Sequence, residues 1–201
     1  SSPIPPQMRP YSQRGWPTFE RAISEMITPV QMVIECHFDA TGLWLSEEGW
    51  HNMMEQNGMS GRRAPASPEE FNLQLEQTVF TNGADADLVK RKYKATFETL
   101  VTRVKRLCFS NCGWTLSQVK TLSHVLPSCN FLEILDLSSN RLDDEGAVEL
   151  ASALASCVGL KTLSLQTNFI SDVGVSNIAT ALSNCANLQQ VNLNRNHICD
   201  D

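Results

Sequence analysis

The stretch LEILDLSSNRLDDEGAVELASALASCVG (132–159) is followed without a gap by LKTLSLQTNFISDVGVSNIATALSNCAN (160–187). Both stretches have 28 residues, and their leucine, asparagine and cysteine positions coincide. A shorter copy, LQQVNLNRNHICDD (188–201), follows them, and a degenerate copy, VKRLCFSNCGWTLSQVKTLSHVLPSCNF (104–131), precedes them. A fixed period of this length is typical of stacked structural repeats, in which each unit buries its apolar face against its neighbours.

Each copy combines one strand with one helix. Leu135 and Leu137 lie two residues apart, as in a strand with one buried face. The apolar residues that follow are spaced three and four residues apart, as on one side of a helix, and they are Ala147, Leu150 and Leu154. This alternation predicts an α/β fold, a right-handed β-α solenoid with a parallel inner sheet. The predicted helix N-caps are Thr115, Asp143 and Ser171.

An asparagine follows the strand segment of each copy. Its amide offers donors and an acceptor where the chain leaves the strand. Because buried backbone groups must be paired, we interpret these asparagines as structural supports of the loop. They are Asn140, Asn168 and Asn196. The apolar residues two positions later are expected to point into the core, and they are Leu142, Ile170 and Ile198.

The sequence has seven cysteines, and three of them share one position near the end of the repeat helix. A buried free cysteine behaves as a small apolar residue. We therefore expect these cysteines to be structural and their thiols to be reduced. Reduced thiols favour a cytosolic or nuclear protein, and of these two locations we predict the cytoplasm. Cys108 and Cys112 have no second pair at zinc-ligand spacing, so no metal site is expected. The three repeat cysteines are Cys129, Cys157 and Cys185.

The pattern L-x-x-L-x-L-x-x-N-x-(L/I), with D-x-G-(A/V) and a cysteine after it, resembles the ribonuclease-inhibitor-like class of leucine-rich repeat. The resemblance covers 104–201, although the first copy departs from the pattern at Phe109, Cys112, Trp114 and Gln118. It implies a non-enzymatic scaffold or regulator that binds a partner protein through its repeat surface. The class also includes the Ran GTPase-activating protein, so a GTPase regulator of that type stays an alternative.

The first hundred residues do not repeat. We divide the chain into an N-terminal α/β or mostly helical region (1–84), a helix capping the solenoid (85–103), and about three and a half leucine-rich repeats (104–201). The N-terminal region also fits an incomplete module. Within it, the sequence predicts a proline-rich arm at 1–10, helices that begin at Pro17 and Pro68, and a buried strand at 30–38.

The segments RGWPTFERAIS (14–24) and FTNGADADLVKRKY (80–93) are similar to an α/β module of large repeat-bearing proteins of protists. A looser similarity is to TIR domains, because Trp16 and Glu20 match their W-x3-E spacing. That likeness implies a NAD-cleaving signalling protein that uses Glu20, although the Cys and Leu of the TIR motif are absent. The alternative interpretation places Trp16 in the core and Glu20 in the first turn of a helix.

Catalytic patterns are missing from the sequence. It has no phosphate loop, no G-x-S-x-G and no H-E-x-x-H, and its four histidines lack carboxylate or cysteine partners at ligand spacing. We therefore expect a non-enzymatic protein without cofactor or metal. The net charge of −6 argues against nucleic acid, and no apolar run approaches the ~20 residues that a membrane helix needs.

The strand residues that face away from the core form three rows across the copies. We expect a protein partner to bind this inner face of the sheet, and either self-association or a partner to cover the C-terminal end of the sheet. The first row is Arg106, Ile134, Thr162 and Gln190. The second row is Cys108, Asp136, Ser164 and Asn192. The third row is Ser110, Ser138, Gln166 and Asn194, with Arg195 beside it.

Overall fold

The computed structural model describes residues 13–27, 62–80 and 82–199. The predicted arm at 1–10 and the predicted strand at 30–38 lie outside the described residues. The α-helices of the described part are α1 (Gly15–Ile27), α2 (Pro68–Glu76), α3 (Asp85–Val101), α4 (Leu116–Val125), α5 (Asp144–Leu154) and α6 (Asp172–Leu182). Its strands are β1 (Arg106–Cys108), β2 (Ile134–Asp136), β3 (Thr162–Ser164) and β4 (Gln190–Asn192), and a short 3-10 helix, Leu126–Ser128, extends α4.

The strands form one parallel sheet in the order β1-β2-β3-β4. Its register follows the 28-residue period of the sequence, since Leu135 lies opposite Leu107 on one side and Leu163 on the other. A helix leads from each strand to the next, as parallel pairing of successive strands requires. The predicted α/β fold with a parallel sheet is therefore confirmed.

The sheet and the repeat helices enclose an apolar core. Leu137, Leu142 and Ile170 are completely buried in it. Ile198 occupies the equivalent position of the last copy, but its side chain is 41% exposed, so the prediction that it lies in the core is wrong. The reason is that β4 is the edge strand, whereas Leu142 and Ile170 each have a further strand beside theirs.

The repeat helices begin at the predicted N-caps. Thr115 donates its backbone N–H to Gln118 Oε1 at 2.9 Å, which forms half of a capping box. Asp143 Oδ1 accepts from the backbone nitrogen of Gly146 at 3.0 Å. Ser171 precedes α6 with the same extended backbone. Asp143 and Ser171 thus each accept from a backbone N–H group that the first turn of a helix cannot pair by itself.

Asp144 connects two successive repeats, because it belongs to α5 but binds the start of α6. Its Oδ1 accepts from the backbone nitrogens of Ser171 and Gly174 at 2.8 and 3.1 Å. Its Oδ2 accepts from the Ser171 hydroxyl at 2.6 Å. The Ser171 hydroxyl, the Ser171 N–H and the Gly174 N–H together lower the pKa of Asp144 below its ordinary value.

The N-terminal helices pack through aromatic side chains. The rings of Phe71 and Tyr93 stack with centroids 3.7 Å apart, and Phe19 meets Phe71 edge-on at 6.5 Å. Helix α2 begins where the sequence predicts, with Ser67 and Glu70 forming a reciprocal capping box. Helix α3 covers most of the predicted helix at 85–103, and its main contacts are with α1 and α2.

An extended segment, residues 62–67, joins the N-terminal helices to the first repeat. Trp114 Nε1 donates to the backbone carbonyl of Arg62 at 2.7 Å, and the Arg62 guanidinium lies 4.8 Å from the centroid of the Phe109 ring. On the other side, Tyr93 Oη donates to the carbonyl oxygen of a residue in the same segment at 2.8 Å. The segment therefore lies between α3 and the first repeat.

A left-handed backbone conformation recurs with the repeat. Asn111, Ser139, Thr167 and Arg195 have φ angles of 54° to 57°, and they lie one repeat apart from each other. This conformation is unfavourable for residues other than glycine, asparagine and aspartate, and most of all for a β-branched residue such as Thr167. The turn after each strand imposes it, and no glycine at this position indicated it in the sequence.

Candidate protein-binding face of the sheet

The register of the strands places the three predicted rows side by side on one face of the sheet. In β2, Leu135 is buried, so Ile134 and Asp136 on either side of it point to the opposite face. Ile134 lies opposite both Arg106 and Thr162, and the pairing continues to the end of the sheet. All members of the first row are at least partly exposed, and they are Arg106, Ile134, Thr162 and Gln190.

The second and third rows are connected by hydrogen bonds between the end of β2 and the residues that follow it. Asp136 Oδ1 accepts from the backbone nitrogen of Ser138 at 3.0 Å and from its hydroxyl at 2.7 Å. Ser138 is only 5% exposed. Its prediction as a contact residue is therefore corrected, because its hydroxyl is used within the chain. Asp136 itself stays partly exposed, as does its neighbour in the same row, Ser164.

A second connection between the rows lies towards the C-terminal edge. Asn192 Nδ2 donates to Gln166 Oε1 at 2.8 Å, and Asn192 Oδ1 accepts from the backbone nitrogen of Asn194 at 3.1 Å. These contacts fix the orientation of the Gln166 and Asn192 amides. Asn194 and Arg195 are exposed beyond them, and the φ of 57° at Arg195 belongs to the recurring left-handed turn.

Arg62 adds a positive charge at the β1 edge of the sheet that the sequence patterns do not reveal. Its Nη1 donates to the carbonyl oxygen of Cys108 in β1 at 3.5 Å. Burial raises the pKa of the Cys108 thiol, Asp136 raises it further, and Arg106 and Arg62 oppose the rise. The thiol is therefore neutral at physiological pH. Because 46 residues separate Arg62 from Cys108, no local motif could have indicated the contact.

Below this face, an asparagine holds each turn against the preceding repeat. Asn168 Oδ1 accepts from the backbone nitrogen of Leu142, one repeat earlier, at 3.0 Å. Its Nδ2 donates to the carbonyl oxygen of Leu137, also in the earlier repeat, and to one in its own repeat, both at 3.0 Å. Asn140 and Asn196 make the equivalent bonds. These amides thus pair backbone groups that the strands leave unpaired.

A family comparison agrees with the repeat pattern. A family model described as a leucine-rich repeat matches residues 128–151, which include β2, Asn140 and the first part of α5. The chain contains a leucine-rich repeat segment. Among solved structures, it is similar to leiomodin-1 actin-binding site 2, with 20% sequence identity and a TM-score of 0.48. That match covers 53% of this chain. It covers 63% of the leiomodin-1 chain, which is less than two thirds of its length. No curated protein matches the sequence.

The three cysteines that share one repeat position lie in the core. Cys129, Cys157 and Cys185 are buried free thiols. The Cys185 Sγ donates to the carbonyl oxygen of Cys157 at 3.4 Å. Burial raises the pKa of Cys129 to about 12 and that of Cys157 to about 11, and it also raises the pKa of Cys185. The thiols are therefore protonated and poorly nucleophilic.

The residues of the TIR-like motif lie in α1, which begins at Gly15, two residues before the predicted start. Trp16 is 36% exposed and donates its Nε1 to Asp85 Oδ2 at 3.1 Å, so the alternative that placed it in the core is wrong. Glu20 is the sixth residue of the helix and therefore lies in its second turn, not in the first. The motif thus lies on an exposed part of α1.

Other candidate chemistry is sparse in the part of the chain that the structure describes. Within residues 13–27, 62–80 and 82–199, no three His, Cys, Asp or Glu side chains are grouped as metal ligands. None of the helices in these ranges is both long and apolar enough to span a membrane. His124, which the sequence left without a partner, has its Nδ1 2.8 Å from Glu70 Oε1 and so connects α4 to α2.

Proposed function

We propose that this protein is a non-enzymatic interaction scaffold whose leucine-rich repeats bind a partner protein through the exposed face of the parallel sheet. The observation that carries the proposal is the alignment of polar side chains into rows across successive strands. Such rows give a continuous surface, which is how stacked repeats usually bind large partners.

The finer class that we propose is the ribonuclease-inhibitor-like one, a right-handed solenoid located in the cytoplasm. The 28-residue β-α unit with its asparagine supports the class. Right-handed connections are the general rule for parallel strands joined by helices. Buried free cysteines at one repeat position support a reducing compartment.

The chemistry of the face favours a polar partner surface with charges of both signs. Asp136 offers a carboxylate, while Arg106 and Arg195 offer guanidinium groups, which are common at protein interfaces. The amides of Gln166 and Asn192 are already oriented by their mutual hydrogen bond. Because this bond restricts the two side chains before binding, less entropy is lost when a partner contacts them.

The proposal is tested by charge reversal on the face. Asp136→Arg combined with Arg195→Glu keeps the net charge but exchanges the two signs. We expect the variant to lose at least roughly tenfold in affinity for a partner isolated with the wild-type protein, measured by calorimetry. The matched control combines Glu145→Arg with Lys120→Glu on the exposed helical side, and it should bind like the wild type. Equal binding of both double variants would exclude this face as the interface.

The non-enzymatic part of the proposal has its own test. The protein is incubated with NAD⁺, and nicotinamide release is followed by chromatography. We expect no turnover above that of buffer. Turnover that disappears in Glu20→Gln would contradict the proposal and support a TIR-like activity instead.

A further inference from the structure

A cavity of ≈ 200 Å³ lies where the N-terminal helices meet the first repeat. We call it the junction cavity. Its lining comes from α1, the extended segment 62–67, α2 and α4. Boundaries between packed units of a chain are common places for ligand sites. This volume is larger than a single water molecule needs. It can therefore hold a side chain or a small metabolite.

One wall of the junction cavity is apolar and made of small residues. Ala22 of α1 lies on it together with Ala64, Pro65 and Ala66 of the extended segment. The last three are buried, and Tyr93 holds the segment through its hydrogen bond to Ala66. The space therefore results from small side chains on a fixed backbone. A wall of this kind suits an aliphatic stem rather than a fully hydrated inorganic ion.

The other described residues of the lining are rich in hydrogen-bond donors and include no carboxylate. Arg63 is the single charged residue among them and is exposed at the rim. Among the described residues, Arg63 has no hydrogen-bond or ion-pair partner. Gln118 already uses its Oε1 to accept from the backbone and hydroxyl of Thr115, which leaves its Nε2 as a donor. Thr121 contributes a hydroxyl one turn of α4 further on.

We propose that the junction cavity binds a carboxylate on a short aliphatic stem. The Arg63 guanidinium pairs with the carboxylate, since its planar donors match the two carboxylate oxygens. The Gln118 Nε2 and the Thr121 hydroxyl complete the polar contacts, and the stem lies on the alanine and proline wall. This inference does not depend on the proposed function of the sheet. A free dicarboxylate and a glutamate side chain of a partner share this chemistry.

The cavity is tested by NMR titration of the ¹⁵N-labelled protein with glutarate, and with glutaramide as its neutral counterpart. We expect saturable shifts of the backbone signals of Ala64 and Gln118 with glutarate only. Arg63→Gln should weaken binding at least roughly tenfold, because it removes the positive charge that pairs with the carboxylate. Ala22→Leu should also weaken it by filling the space, while Arg103→Gln, an exposed arginine outside the lining, should leave it unchanged.

The source of the carboxylate is resolved with two capped tripeptides, Gly-Glu-Gly and Gly-Gln-Gly. Tighter binding of the glutamate peptide than of glutarate indicates a partner protein, and the reverse order indicates a free metabolite. Either result supports the site. The proposal is overturned if neither acid saturates the shifts below about 50 mM, if the amides bind as well as the acids, or if Arg63→Gln binds like the wild type.

Discussion

At the residue scale, two glycines at the same repeat position have different surroundings. A Cβ added to Gly174 would lie 2.5 Å from Asp144 Oδ1 and 2.6 Å from Ile170 Cγ2. A Cβ added to Gly146 would meet nothing closer than 3.5 Å, because the first copy has no aspartate equivalent to Asp144. The close approach of Asp144 therefore requires glycine in α6 but not in α5.

The two glycines should respond to alanine with opposite signs. Gly174→Ala should lower the free energy of unfolding by about 1–3 kcal/mol through overpacking. Gly146→Ala should raise it by about 0.5–1 kcal/mol, since alanine restricts the unfolded chain and favours the helix. Urea denaturation followed by circular dichroism measures both. A loss of stability in both variants would mean that the surroundings of Gly146 are tighter than the structure indicates.

The strained turn makes a second prediction at this scale. Thr167 is exposed and has a φ of 56°, which a β-branched residue tolerates poorly. Thr167→Asn should therefore raise the free energy of unfolding by about 0.5–1 kcal/mol, because asparagine accepts this conformation at lower cost. The comparison is Thr180→Asn, an exposed threonine in α6, which should give no gain. Equal effects of the two substitutions would rule out relief of strain as the cause.

At the element scale, the start of α6 depends on ionised Asp144. Because its pKa is lowered in the folded protein, its carboxylate stabilises the fold above the unfolded pKa of about 3.9. This contribution is lost as the pH falls through the lowered folded pKa. Asp144→Asn should thus cost about 1 kcal/mol at pH 7, and the cost should shrink towards zero near pH 2.

Equilibrium unfolding of the wild type and Asp144→Asn at several pH values between 2 and 7 measures this dependence. Asp87→Asn is the control, since the Asp87 side chain is exposed in the first turn of α3 and makes no hydrogen bond within the described residues. Its effect should be small at every pH. A cost of Asp144→Asn that stays constant down to pH 2 would refute the role of the ionised carboxylate.

The elements of the repeats could be predicted because each position has the same role in every copy. Leu135 and Leu163 recur where a strand faces the core, and Asp143 and Ser171 recur where a helix begins. The left-handed turns escaped prediction, since chain connectivity imposes them on residues as different as Thr167 and Arg195. The burial of Ser138 and its hydrogen bond to Asp136 also escaped, because the repeat pattern does not distinguish this position from the exposed Asn194 of the same row.

At the scale of the whole molecule, the link between the two halves rests on contacts that are distant in sequence. Trp114 and Arg62 are 52 residues apart, and His124 and Glu70 are 54 apart. Periodicity cannot reveal such pairs, so the sequence could not predict the junction or its cavity. The rows of the sheet, by contrast, follow directly from the repeat length.

The tryptophan at the junction should couple the stability of the two halves. Trp114→Phe keeps an aromatic ring beside Phe109 but removes the indole donor from the part-buried carbonyl oxygen of Arg62. We expect a loss of about 1–3 kcal/mol and faster amide exchange in residues 62–70, measured by mass spectrometry. Trp16→Phe, which removes an exposed indole donor, should change neither quantity. Unchanged exchange in Trp114→Phe would show that other contacts hold the junction.

The asparagine of each repeat has a consequence for how such a chain can change length in evolution. Because Asn168 pairs backbone groups of the unit before it, every unit is completed by its successor. Duplication of a whole 28-residue unit preserves all of these bonds at both new boundaries. An insertion of any other length between Asn140 and Asn168 displaces the amide from its partners. Selection on this chain should therefore tolerate gain of whole units and remove partial ones.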